Sequence, residues 1–270
     1  MIVRNTGLTE PSLSAYCNLS ETEVKRINEP LPGLFIAESP NVIERALDAG
    51  YEPVSMLVCE DEFKGQAEKQ ANRMEDKPVY VVKKDEFAKI TGANLTRGAL
   101  SAMKRKKLPT VDDIIKDAKR IAVLEDVVNP TNLGAIVRSA AALGMDAVLF
   151  SEGCTDPLYR RAIRVSMGTV FQIPWTFFNG DVNKLKEKGF LTLAMALRDD
   201  TLDIKDSKIK DAERVAILLG SEGPGLTDET IANCDYTVKI PMYNGVDSLN
   251  VAAASAVAFY EIRRVENGTA

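Results

Sequence analysis

The apolar positions of this chain switch repeatedly between strand-like runs and helical spacing. In the first half Leu34-Phe35-Ile36-Ala37, Val54-Ser55-Met56-Leu57-Val58 and Val79-Tyr80-Val81-Val82 have the length and β-branched content of strands. Helical patterns at Val42 to Ala49 and Phe63 to Arg73 separate them. In the second half strands are expected at Ile121 to Leu124, Ala147 to Phe150, Leu191 to Ala194, Val215 to Leu219 and Tyr236 to Ile240. Helices are expected at Asn132 to Leu143, Val182 to Lys188 and Leu249 to about Arg264. Short apolar strands alternating with helices predict an α/β fold with a mostly parallel sheet covered by helices on both faces.

The same pattern divides the chain. Residues 1–30 are polar and read as an extension, with a short helix around Ser20 to Asn28 capped by Ser20. A small α/β domain follows over 31–108 and closes on the basic run Lys104-Arg105-Lys106-Lys107. Residues 109–118 read as a linker that opens with Pro109-Thr110, and residues 119–270 as the second α/β domain.

Three loops of that second domain collect the polar groups able to do chemistry. The first, Asn129-Pro130-Thr131-Asn132-Leu133-Gly134, opens a helix on which Asn132 is placed to cap the first turn. Leu133, Ile136, Val137 and Ala140 form an apolar stripe. Arg138 falls off its edge, either solvated or facing a cleft or partner. The second loop, Leu219-Gly220-Ser221-Glu222-Gly223-Pro224-Gly225, is rich in glycine but lacks the lysine of a phosphate-binding P-loop. A tight turn accounts for its glycines but not for Glu222. The third, Ile240-Pro241-Met242-Tyr243-Asn244-Gly245-Val246-Asp247-Ser248-Leu249-Asn250, leads into a helix with Ser248 placed as its cap and Asn250 in its first turn. That helix, Val251 to Phe259, is apolar nearly all round, which asks for cover from the sheet and from a second subunit, or for dry core packing alone.

Composition narrows the chemistry. Across 270 residues there is no histidine, which removes imidazole-based triads and histidine metal sites, and no metal is expected. Cys17, Cys59, Cys154 and Cys234 are too scattered for a disulfide framework, so a reduced, cytoplasmic protein is expected. No apolar signal core and no membrane-length apolar run are present. A net charge of −5 gives no global pull on phosphate, so any nucleic-acid contact must be local.

In order, the three loops resemble the SpoU or TrmH family of RNA 2'-O-ribose methyltransferases, within the SPOUT superfamily. The resemblance is carried by N-x-G-x-x-x-R at Asn132 to Arg138, G-x-E-x-x-G at Gly220 to Gly225, and I-P-M with S-L-N-V between Ile240 and Val251. It covers roughly Ile121 to Arg264, and it implies a trefoil-knotted sheet domain, a homodimer with the active site near the subunit interface, and S-adenosylmethionine as cofactor. Residue by residue, it implies catalytic roles for Arg138, Asn132, Glu222, Ser248 and Asn250. It implies cofactor contacts at Leu219, Gly220, Gly225, Ile240, Met242, Ser248 and Leu249. Asn244 stands where many relatives have a first glycine, and asparagine tolerates the positive φ such a loop asks for. The N-terminal domain resembles the family's substrate-binding module for ribosomal or transfer RNA. Lys104, Arg105, Lys106, Lys107, Arg160, Arg161 and Arg164 are then the expected phosphate contacts. Two other functions stand beside this: an RNA-binding dimer without catalysis, and a hydrolase using the carboxylates Asp126, Glu222 and Asp247.

Overall fold

A computed structural model of the chain describes residues 1–4, 13–17, 20–26, 33–65, 67–91, 98–198 and 200–263. Its contacts divide into one unit of Met1–Lys107 with Leu158–Phe171, and a second of Leu108–Pro157 with Gln172–Ala270.

The first unit holds β1 (Ile2–Arg4), β2 (Leu34–Glu38), β3 (Pro53–Cys59), β4 (Val79–Val82) and β5 (Ala99–Lys104), in the spatial order β1-β4-β3-β5-β2. β4 is parallel to β1 and β3, whereas β5 is antiparallel to β2 and β3. Two expectations are corrected here. The segment read as an extension supplies β1, and its Leu13, Tyr16 and Val24 are buried in the core with Leu34, Leu57 and Leu100. Tyr16 donates or accepts a 2.6 Å hydrogen bond with Ser55, and burial pushes its phenol well above the usual range. Ser20 does cap the helix Glu21–Arg26, in reciprocal bonds with Glu23; residues 27 and 28 lie outside the described residues. The helix expected over Phe63 to Arg73 is two shorter ones, Glu60–Phe63 and Ala67–Asn72, with a turn at Lys64 and Gly65 between them.

Leu158–Phe171 belongs to this first unit although its sequence neighbours belong to the second. Its helix Arg160–Val165 brings Arg160 and Arg164 within 3.3 and 3.4 Å of Glu38, a carboxylate only 8% exposed. The Arg45 guanidinium donates to the Met167 carbonyl, and Phe171 packs between Phe35 and Tyr51.

The second unit is a seven-stranded sheet of β6 (Arg120–Leu124), β7 (Ala147–Phe150), β8 (Trp175–Phe177), β9 (Leu191–Met195), β10 (Leu202–Asp203), β11 (Val215–Leu219) and β12 (Tyr236–Lys239). The order is β10-β12-β9-β11-β6-β7-β8, and each pairing is parallel. β6, β7 and β11 are buried along their whole length, the signature of parallel strands covered on both faces. From β8 the chain passes to β9; β11 later enters between β6 and β9, and β12 between β9 and β10. The stretch expected as a linker carries the helix Val111–Ile115, closed by a Thr110–Asp113 capping box, and its Ile115 is 2% exposed in this unit's core.

The carboxyl ends of these parallel strands share one edge, and the helix Val251–Ile262 starts from the loop there. Its far end is pinned at the amino edge by Arg120, 6% exposed, which donates to the Ile262 carbonyl at 2.6 Å and to the carbonyls of Lys119, Ala212 and Glu213 at 2.8–3.0 Å. Arg120→Met keeps the packing volume but strands those buried acceptors. It should lower unfolding stability by about 2–4 kcal/mol, read from denaturant midpoints at unchanged slope.

Candidate active site

The helix Pro130–Ala142 begins directly beyond β6. Its cap is Asn129, whose side chain accepts from the Thr131 N–H at 2.8 Å, with Pro130 in the first turn. The capping role expected of Asn132 is therefore corrected. Three residues past the cap, Asn132 instead donates from Nδ2 to Glu222 Oε1 at 2.6 Å and accepts from Asn250 Nδ2 at 3.3 Å. Each of the three loops contributes one member of this chain. The stripe Leu133, Ile136, Val137 and Ala140 is buried, and Arg138 is exposed, as the periodicity predicted. Among the described residues Arg138 has no hydrogen-bond or ion-pair partner.

The loop after β11 folds back on itself, with the Ser221 N–H donating to the Gly225 carbonyl at 3.3 Å and Gly225 at φ 76. A methyl group at Gly220 would overlap the backbone of Gly225 and Leu226, which is why only glycine fits there. The loop after β12 is set by a tight turn in which Val246 N–H donates to the Tyr243 carbonyl, with Asn244 at φ 58 and Gly245 at φ 70. Asparagine does occupy the left-handed conformation expected of it. The cap of the helix Val251–Ile262 is Asn250, accepting from the Ala252 N–H at 3.0 Å, and not Ser248 as the sequence suggested.

These loops line one cleft of about 380 Å³ at the carboxyl ends of β9, β11 and β12. Leu219, Gly220, Gly225, Ile240, Met242, Ser248 and Leu249 all line it, as do Glu222 and Asn250. Arg138 and Asn132 do not, although Asn132 reaches the cleft through its bonds to Glu222 and Asn250. Sequence reasoning missed Met195, Ala196 and Leu197, which supply a further wall. The signal was there: they continue β9 past its expected end at Ala194, at the sheet edge where ligands of parallel α/β folds bind. The walls combine apolar side chains, exposed loop backbone and the carboxylates of Glu222 and Asp247. With Lys239 also at the wall, that lining suits a ligand with an apolar body and hydrogen-bonding, charged ends. The Cys154 thiol donates to the Leu124 carbonyl at 3.3 Å, and burial pushes its pKa up, away from the thiolate form that a nucleophile needs. Among the described residues no cluster of acidic or cysteine side chains is arranged to hold a metal, and no helix is long and apolar enough to cross a membrane.

The expected phosphate contacts are partly engaged elsewhere. Lys104 pairs with Glu52 at 2.7 Å, Arg105 donates to the Leu34 carbonyl at 3.1 Å, and Lys106 lies over the Tyr51 ring. Arg160 and Arg164 face Glu38, and Arg161 also has a partner. Lys107 is exposed and, among the described residues, unpaired.

The cleft lies at the carboxyl edge of a parallel α/β sheet, where ligands of such folds bind. Residues 119–260 match the model of the SpoU rRNA methylase family, over half of the chain, and the chain belongs to that family of RNA methyltransferases. It is 37% identical to an uncharacterised tRNA/rRNA methyltransferase of Mycobacterium bovis, over 94% of this chain and 89% of the relative. It is 28% identical to the 23S rRNA (guanosine(2553)-2'-O)-methyltransferase RlmP of Bacillus subtilis, over 85% of this chain and 88% of the relative. An rRNA methyltransferase of Sinorhizobium meliloti, solved with AdoMet bound, shares the fold with a TM-score of 0.79 at 24% identity, covering 97% of both chains.

Proposed function

We propose that this enzyme transfers a methyl group from S-adenosylmethionine to a ribose 2'-hydroxyl of structured ribosomal or transfer RNA. The observation that carries this reading is one cleft lined by the two distant loops after β11 and β12, to which the third loop is tied by the Asn250–Asn132–Glu222 chain. When bound, the donor supplies a methyl group made electrophilic by its sulfonium. The cleft's residues divide the remaining work. Leu219, Ile240, Met242 and Leu249 exclude water, the loop backbone binds the donor's polar ends, and Ser248 and Asn250 orient the ribose. Positioning supplies much of the rate, because two reactants held at attack distance gain a large effective molarity. A guanidinium stays protonated in a protein, so Arg138 anchors the adjacent RNA phosphate and stabilises the developing alkoxide, while the hydroxyl proton leaves to Glu222 or to water.

The enzyme works as a homodimer in this reading. Ala253, Val257 and Tyr260 form an exposed stripe on the C-terminal helix, with Val257 37% and Tyr260 53% exposed, and a second copy covers it. The late entry of β11 and β12 between strands already laid down fits a trefoil knot. The first unit grips the RNA, with Lys107 as its unpaired phosphate contact, and the cytoplasm is where such RNA is found. Mapping ribose methylation in total RNA with and without the gene tests the function. One 2'-O-methyl mark should disappear with the gene and return with it; an unchanged map contradicts the assignment.

A further inference from the structure

The glycine loop leaves β11 at Leu219 and reaches the helix Asp228–Asn233 at its cap, Thr227. Both feet of this loop rest on one residue outside it, Glu125, which stands just past the end of β6. At the entry the Glu125 N–H donates to the Leu219 carbonyl at 2.9 Å. At the exit the Thr227 N–H donates to Glu125 Oε1 at 2.7 Å, and the Thr230 hydroxyl donates to Oε2. Thr227 passes the grip on to the helix: its hydroxyl donates to Thr230 Oγ1 at 2.9 Å and accepts from the Thr230 N–H at 3.2 Å.

Among the described residues no cation pairs with Glu125, so both carboxylate oxygens are given to the loop exit, 102 residues further along the chain at Thr227. The segment that follows Glu125 holds the loop once more, through Asn132 Nδ2 on Glu222. Leu219, Gly220, Glu222 and Gly225 line the donor cleft, whereas Glu125 lies at a separate hollow with Ser151 and Phe178. Any effect of Glu125 on the donor must therefore pass through the loop. A loop that presents its backbone to a ligand gains from being fixed beforehand, because binding then does not have to order it.

We propose that Glu125 is a positioning residue for donor binding: by holding the entry and exit of the glycine loop together, it presets the loop backbone to receive S-adenosylmethionine. Its role is to accept hydrogen bonds and not to attract the donor's positive charge. The inference rests on the donor-site reading and adds to it a residue that does not touch the donor.

The test is calorimetric titration of the full chain with S-adenosylmethionine and with S-adenosylhomocysteine, well below each variant's thermal midpoint so that the folded form alone is read. Glu125→Ala removes the clamp, and Glu125→Asp shortens its reach by about 1.5 Å. Both should weaken donor binding about 10- to 100-fold. Glu125→Gln keeps an acceptor for the Thr227 N–H, and the Thr230 hydroxyl can turn to accept from its amide, so affinity should stay within about 3-fold. Thr230→Val deletes only the second contact and should cost about 3- to 10-fold, with no further loss when added to Glu125→Ala. S-adenosylhomocysteine, which lacks the sulfonium charge, should lose affinity by the same factors.

Unchanged donor affinity in Glu125→Ala overturns the proposal. So does a loss confined to S-adenosylmethionine, which marks direct attraction of the sulfonium, or a glutamine variant as weak as the alanine one. Should Glu125→Ala fail to fold, unchanged affinity in Glu125→Asp and Thr230→Val overturns it equally. If the unaltered chain binds neither ligand, the donor-site reading falls and the clamp with it.

Discussion

Arg138→Ala should remove methyl transfer, by about 10²- to 10³-fold in turnover, and leave S-adenosylmethionine affinity within about 2-fold of the unaltered enzyme. The split follows from where the residue sits. Arg138 projects from the exposed side of the helix Pro130–Ala142, has no partner among the described residues, and does not line the donor cleft. Its loss therefore takes nothing from donor binding or from the fold. In the proposed reaction what it removes is a fixed positive charge beside the RNA, needed most when the hydroxyl oxygen turns anionic. Arg138→Lys should recover little, since an ammonium cannot present the planar fork of a guanidinium. Single-turnover transfer alongside donor calorimetry reads both halves, and turnover within about 2-fold of the unaltered enzyme would remove Arg138 from the chemistry.

Gly220→Ala fails in the opposite way. The added methyl overlaps Gly225 and Leu226, so the loop must open, and with it one wall of the cleft. Donor affinity should fall by at least about 100-fold, with a stability loss of about 1–3 kcal/mol, because the strain is local and β11 beneath it stays packed. Far-UV circular dichroism should be unchanged. An alanine variant that binds the donor normally would show that the loop moves aside at no cost.

The parallel sheet was legible because strands buried on both faces read as unbroken apolar runs. Ala147–Phe150 and Val215–Leu219 begin and end where the pattern put them. The cleft was legible because a loop that presents backbone to a ligand must use glycine, and one that presents side chains at a helix start uses asparagine and serine. What failed was discrimination among near neighbours. Asn129 and Asn132, or Ser248 and Asn250, are equally able caps in sequence; the bond to Glu222 turns Asn132 to the site and leaves the cap to Asn129, whereas Asn250 caps its helix and reaches Asn132 at once. β1 was missed because three residues at a sheet edge, with Ile2 55% exposed, are too few to show a period in the sequence. The excursion Leu158–Phe171 was unreadable for another reason: its basic residues look like a nucleic-acid patch until Glu38, 122 residues earlier than Arg160, is seen to hold them.

Calorimetric titration of the purified chain with S-adenosylmethionine tests most directly whether the loops form one donor site. One donor per chain, bound with a Kd on the order of 1–100 μM and abolished by Gly220→Ala, is the predicted result. No heat and no thermal shift at millimolar donor would contradict it.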